Sequence, residues 1–258
     1  MPFTVAHAAA VLPLVRRAPL VPAALVIGSM APDLPYFLPV EIARSESHQL
    51  TWAFTWTALT GLVLWWTWEV VLAPVARDLA PRWLRVRWVA PTSAGGVRRA
   101  LWAYLSLVIG ILTHLLWDAF THRTGFAVQA WPSLRTHLGP LALYKVLQFG
   151  SGVAGVTVLA LWCRRRVRAI APRSADSLST QVGRTCAWVT VGLLPQAFAF
   201  ALSWRWARNF EPGRPPVEDL AFTWVTATIG SAMLVSVVIA LVWWAWVGVP
   251  SGSRSSAT

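Results

Sequence analysis

The chain contains five histidines: His7, His48, His114, His122 and His137. Two of them bracket an aspartate at intervals of four, in the order His114, Asp118, His122, inside the stretch LTHLLWDAFTH. In a helix that spacing puts the three side chains on one face, one turn apart. Imidazole and carboxylate so arranged can hold a metal ion. The surrounding residues are apolar enough to lie in a membrane, where a carboxylate is costly and normally has a partner or a function. A His114–Asp118 hydrogen bond acting as packing glue, with His122 solvated, accounts for the same spacing about equally well.

Further segments carry residues of the same kind. In GSMAPD, Gly28 and Pro32 impose a turn that presents Asp33; the plain alternative is a helix cap. SESH places His48 just before an apolar stretch, and PFTVAHAAA carries His7. Taken singly, a capping aspartate and an interfacial histidine are the commoner explanations. Taken together, and with the topology derived below, the five histidines, Asp33 and Asp118 fall on or near one face of a membrane. That gathering favours a metal site with His7, Asp33, His48, His114, Asp118 and His122 as candidate ligands, His137 ranking behind them. The set suffices for one or two ions with a position open to water. Imidazole and carboxylate suit zinc, and also manganese or iron. A metal lowers the pKa of a bound water to about 7, so the chemistry expected is metal-dependent hydrolysis. Asp33 and Asp118 are the candidate catalytic residues, orienting the nucleophile or bridging two ions. Arg44, Arg123 or Arg135 could bind a phosphate.

The elements that must position these residues are apolar helices. Of the 258 residues, 56% are hydrophobic and only 12% are charged, against about 25% charged in a soluble globular protein. Five stretches reach the length of about 20 apolar residues that a spanning helix needs: 52–73, 101–120, 142–163, 185–204 and 220–247. A sixth, 18–38, is interrupted by Pro22, Pro32 and Pro35 and reads as an interfacial or re-entrant helical element. No signal peptide is expected at the start. The fold class is therefore all-α, a polytopic membrane helical bundle. It reads as a single membrane domain over 1–250, residues 1–51 forming an outer-face region that carries part of the site, followed by a disordered tail, 251–258. Cys163 and Cys186 imply no disulfide framework. Many of the 18 tryptophans, such as Trp52, Trp102, Trp204 and Trp243, flank the apolar stretches as interface anchors do.

The net charge of +12 would suit nucleic acid if it formed a patch, but the arginines sit in short loops between spans. The expected partners are membrane lipids, not nucleic acid. Loops 77–99 and 164–184 hold 12 of the 21 arginines; by the positive-inside rule both are cytoplasmic. Residues 1–51 and the His/Asp set then lie outside. A transporter or channel with a His/Asp metal or proton site is the competing function. It is weakened because Glu69 and Asp118 lie near span ends and no paired broken helices are apparent. A non-enzymatic membrane scaffold is the third possibility.

The segments MPFTVAHAAAVLPL, VIGSMAPDLPYFL, SESHQLTW and LTHLLWDAFTHRTG resemble an uncharacterised bacterial membrane family, domain of unknown function 4184, over most of the first 140 residues. The resemblance implies a bacterial inner membrane and no particular activity. More distantly, the order His, Asp, His, then His-x-x-x-Asp is similar to the YdjM-type membrane metal-dependent hydrolases. It is similar also to the zinc-dependent phospholipase C group. That likeness implies His7, Asp33, His48, His114 and Asp118 as ligands. For a hydrolase whose site sits at headgroup depth, a lipid ester or phosphoester is the expected substrate. The phospholipase group carries a Glu one turn after its last ligand histidine; here that position is Leu141, which implies one or two ions rather than three.

Overall fold

A computed structural model describes residues 4–38, 40, 42–89, 96–174, 176–209 and 217–248. The expected tail at 251–258 lies outside the described residues. Those residues are helical apart from turns and a two-residue antiparallel ladder, β1 (His137–Leu138) with β2 (Leu141–Ala142). Five helical stretches are long and apolar enough to cross a membrane: Leu50–Leu79, Val97–Ala130, Leu143–Ala169, Gln181–Arg208 and Asp219–Gly248. They extend the stretches expected at 52–73, 101–120, 142–163, 185–204 and 220–247, and they define a polytopic helical membrane protein. Large apolar side chains face outward along them, among them Val153, Leu193 and Leu234, as lipid-facing positions require.

The chain divides into two compact units, Met1–Trp65 with Pro91–Ile170, and Trp66–Ala90 with Ala171–Thr258. The first contains a 3-10 turn (Thr4–His7), α1 (Ala8–Val11), α2 (Pro22–Met30), a 3-10 segment (Ala31–Phe37), α3 (Arg44–Ser47) and α4 (Leu50–Ala53). It also holds most of α5 (Trp56–Thr67), then α8 (Val97–Thr121), α9 (Phe126–Ala130) and α10 (Leu143–Ala169). Proline explains the broken apolar stretch at 18–38. Pro22 opens α2 at a position where no amide is needed. Pro32 and Pro35 cannot donate to a continuing α-helix, so the chain tightens into the 3-10 segment. At nine residues, α2 is about 14 Å long, too short to cross a hydrocarbon core of about 30 Å.

Helix α2 packs along α8 at backbone-to-backbone distance. A methyl group on Gly28 would overlap the Leu107 carbonyl oxygen, and one on Gly110 would lie 2.7 Å from the Ser29 amide nitrogen. Glycine on both helices permits this approach. Leu25, Leu107 and Ile111 fill the space beside it and are fully buried. Ser106 ties the start of α2 to α8. Its hydroxyl accepts from the Val21 amide at 2.9 Å and donates to the Trp102 carbonyl at 2.6 Å.

The second unit contains α6 (Ala73–Leu79), α7 (Arg82–Arg85), α11 (Gln181–Arg208) and α12 (Val217–Gly248). A π turn, Trp68–Leu72, precedes α6; Pro74 lacks the amide that would keep the ladder regular and crowds the preceding turn. Asp78 is the organising residue. Its carboxylate accepts from the Leu178 amide at 2.6 Å, the Ser179 amide at 3.2 Å and the Trp243 indole at 2.8 Å, and from the Ser179 hydroxyl. In the sequence it is one acid in the arginine-rich loop 77–99.

Candidate metal centre

The site is built from α8 and from the turn-rich first 50 residues. His114 and Asp118 lie one turn apart on α8 and are buried. Asp33 comes from the 3-10 segment, because the prolines wind the chain tightly where it passes α8, and it is fully buried. His48 follows α3 at the turn before α4. The 3-10 turn that ends at His7 stacks the His7 ring on that of His114, centroids 3.9 Å apart and planes 22° apart.

Four donor atoms converge. His48 Nε2 lies 3.3 Å from His114 Nε2, 3.5 Å from Asp33 Oδ1 and 3.3 Å from Asp118 Oδ2. His114 Nε2 lies 3.6 Å from Asp33 Oδ1 and 3.5 Å from Asp118 Oδ2. Most of these separations are long for hydrogen bonds. These five match edges of a tetrahedron of donors around an ion with bonds of about 2.0–2.2 Å, which come to about 3.3–3.6 Å, and the sixth pair, Asp33 with Asp118, lies within 4.8 Å. Asp33 Oδ1 is buried and makes no hydrogen bond, an expensive state for a carboxylate oxygen unless a cation satisfies it. Asp33, His48, His114 and Asp118 form a group that could hold a metal ion.

Each of the four is held from behind. His114 Nδ1 lies 2.8 Å from the Ser29 carbonyl, which can only accept, so the proton sits on Nδ1 and the Nε2 lone pair faces the group. His48 Nδ1 is 2.9 Å from the Ser47 hydroxyl. The Thr4 hydroxyl donates to Asp33 Oδ2 at 2.6 Å, leaving Oδ1 to the group. Burial opposes the Asp33 charge, but the adjacent His48 and His114 imidazoles and the Thr4 hydroxyl outweigh it and hold the carboxyl down at about 2.

Asp118 presents its other oxygen, Oδ1, to two further histidines: His122 Nδ1 at 3.1 Å and His7 Nε2 at 3.6 Å. The α-helix ends at Thr121, and His122 is already extended with φ −120°, yet its ring still turns back to Asp118. On its far side His122 Nε2 lies 2.7 Å from the Gln148 amide nitrogen, while the Gln148 amide oxygen accepts from Lys145 Nζ at 3.1 Å. Lysine is donor only, so Gln148 must turn its oxygen to Lys145 and its NH2 to His122. His122 Nε2 is then the acceptor and Nδ1 carries the proton toward Asp118. In this arrangement His122 braces Asp118 from behind. His7 is kept neutral: burial, reinforced by His114, lowers its pKa to about 4. Its Nδ1 is buried without a hydrogen-bond partner.

The other candidates lie elsewhere. His137 is exposed in the β1–β2 ladder, paired in register with Ala142. Arg123 and Arg135 are exposed, and the Arg44 side chain lies outside the described atoms. Thr4, Ser29, Lys145 and Gln148 are the supporting residues that spacing did not single out. Thr4 and Ser29 stand inside the segments that carry His7 and Asp33, which was their only signal.

Fold and site together define a multi-pass helical membrane protein with a buried His/Asp group able to hold a metal ion. The chain belongs to the family described as Domain of unknown function (DUF4184), whose profile matches residues 1–245. Comparison with curated proteins and with solved structures gives no match.

Proposed function

We propose that this protein is a membrane-embedded metal-dependent hydrolase with one zinc-like ion held by Asp33, His48, His114 and Asp118. The observation that carries the reading is the convergence of four donor atoms within 4.8 Å of one another, three of them on buried residues and one a carboxylate oxygen with no hydrogen bond. Two imidazoles and two carboxylates are a donor set that suits zinc, and manganese or iron nearly as well. With a water as a fifth ligand beside these four, such an ion would supply Lewis acidity and bring the pKa of that water to about 7. The chain's own contributions are the remaining parts of the reaction. Asp33 and Asp118 neutralise the cation, and the Ser29 carbonyl and Thr4 hydroxyl fix the orientation of two ligands. His7 is a neutral imidazole stacked against the group and outside the four, placed to hydrogen-bond a reacting oxygen beside it. The arginine-rich loops favour an extracytoplasmic position for the group, at the face of a bacterial inner membrane. There a lipid ester or phosphoester is the substrate at hand.

The test is elemental analysis of detergent-purified protein beside the His114→Ala, Asp118→Ala double variant. About one zinc or manganese ion per chain in the wild type, absent from a folded variant, supports the reading. A wild type that binds neither after incubation and desalting removes its basis.

A further inference from the structure

Beside the metal group the first unit holds a cavity of about 300 Å3, at the small end of ligand sites. One wall is the N-terminal segment, with Ala6, Ala9 and Ala10; another is the end of α8, with Trp117, Asp118 and His122; the third is α10 from Gln148 to Val158. Its character changes along its length. Near α8 it meets Asp118, His122, Gln148 and Ser151, the last of which accepts from the Trp117 indole at 3.1 Å. Farther along α10 it meets Gly152, Ala154, Gly155 and Val158, which offer no side-chain hydrogen bonds. A buried water needs two to four polar partners, so the far end is suited to hydrocarbon.

The dimensions fit a membrane. Gln148 and Val158 are about 15 Å apart along the axis of α10, roughly half of a hydrocarbon core of about 30 Å. An occupant reaching from Gln148 to Val158 would therefore extend about the depth of one leaflet, starting beside Asp118. His7, whose side chain is 9% exposed, lines its polar end together with Asp118, His122 and Gln148, so that end suits the polar part of an occupant.

We propose that the cavity seats one hydrocarbon chain of a glycerophospholipid from the surrounding leaflet, with the ester end of the chain at the Asp118 side. That the seated lipid is also the substrate rests on the hydrolase reading; the seating of its chain does not. Ala10 and Ala154 are exposed on the wall, so a larger side chain at either fills the cavity without displacing a helix.

The experiment uses the full chain in nanodiscs of phosphatidylglycerol doped with the same lipid carrying a terminal diazirine on one acyl chain. After photolysis, labelled peptides are mapped and bound zinc is measured in parallel. The expected result is labelling of residues 154–158 and 9–10 at several times the level at lipid-facing Leu234. It falls at least fivefold in Ala10→Phe, Ala154→Phe with zinc per chain unchanged. Labelling of 154–158 no greater than at Leu234 in the wild type overturns the proposal without recourse to any variant, as does undiminished labelling in the folded double variant. Strong cavity labelling without bound zinc would leave the lipid seat standing and remove the hydrolase. Zinc without cavity labelling would do the reverse.

Discussion

Alanine at Gly110 would drive a methyl group into the backbone of α2. The added carbon would overlap the Leu25 carbonyl oxygen and sit 2.7 Å from the Ser29 nitrogen and 2.9 Å from the Gly28 carbonyl carbon. Carbon contacts relax at about 3.5–4.0 Å, and none of these atoms belongs to a side chain that can rotate away. The helices must therefore part by on the order of 0.5–1 Å. That displacement carries the Ser29 carbonyl away from His114 Nδ1, now 2.8 Å distant, to the limit of a hydrogen bond. Overpacking costs about 1–3 kcal/mol and a lost buried hydrogen bond about 1–3 kcal/mol. The better helix propensity of alanine returns about 1 kcal/mol. A net loss of about 3 kcal/mol lowers the unfolding midpoint by about 6–12 °C in a domain of this size. With the ring of His114 no longer fixed, metal affinity falls about 10- to 100-fold. Thermal unfolding in detergent and zinc competition against a chelator measure the two effects. Gly150→Ala is the control, since nothing lies within 4 Å of its added methyl; it should be neutral or slightly stabilising. A Gly110→Ala protein as stable as the control, with unchanged zinc affinity, would refute the crossing as the device that sets His114.

Three further expectations follow from the same geometry. Gln148→Leu removes the donor behind His122 and should weaken zinc binding by about tenfold. Gln148→Glu supplies an acceptor instead and should move the His122 proton from Nδ1 to Nε2. The 15N shifts of labelled histidine report this directly, and identical His122 spectra in wild type and Gln148→Glu would contradict the assignment. For His7, the folded pKa of about 4 lies below the ordinary 6.5, so on acidification the unfolded chain takes up the proton first. Metal-free protein should therefore lose about 2 kcal/mol between pH 7 and pH 5. His7→Gln should remove that slope, and a slope identical in both proteins would show that His7 is not its source. In the second unit, Asp78→Ala strands the Leu178 and Ser179 amides and the Trp243 indole. It should cost about 3 kcal/mol or more while leaving zinc per folded chain unchanged; loss of zinc from the folded variant would be the contrary result.

The spans were legible because length and apolar content are local properties of a chain in a membrane. The proline positions likewise sufficed to show that 18–38 could not continue as one helix. The spacing of His114 and Asp118 placed both on one face of α8, since helical periodicity is local too. The same rule treated His122 as their equal. The structure puts it past the helix end, where Lys145 and Gln148 on α10 orient it toward Asp118 Oδ1.

What only the tertiary structure decided is which residues meet. Asp33 could be a cap and His48 an interfacial histidine until the 3-10 segment and the turn before α4 bring both against α8. That approach depends on Gly28 and Gly110 matching across two helices far apart in the chain, a complementarity of shape that no local window contains. Thr4 becomes a partner of Asp33, and Asp78 a knot in the second unit, only when distant backbone arrives beside them. Residue type and spacing determined what chemistry was available. The close crossing of α2 and α8 brings the segment carrying Asp33 beside His114 and Asp118, in a group with His48 that could hold a metal ion.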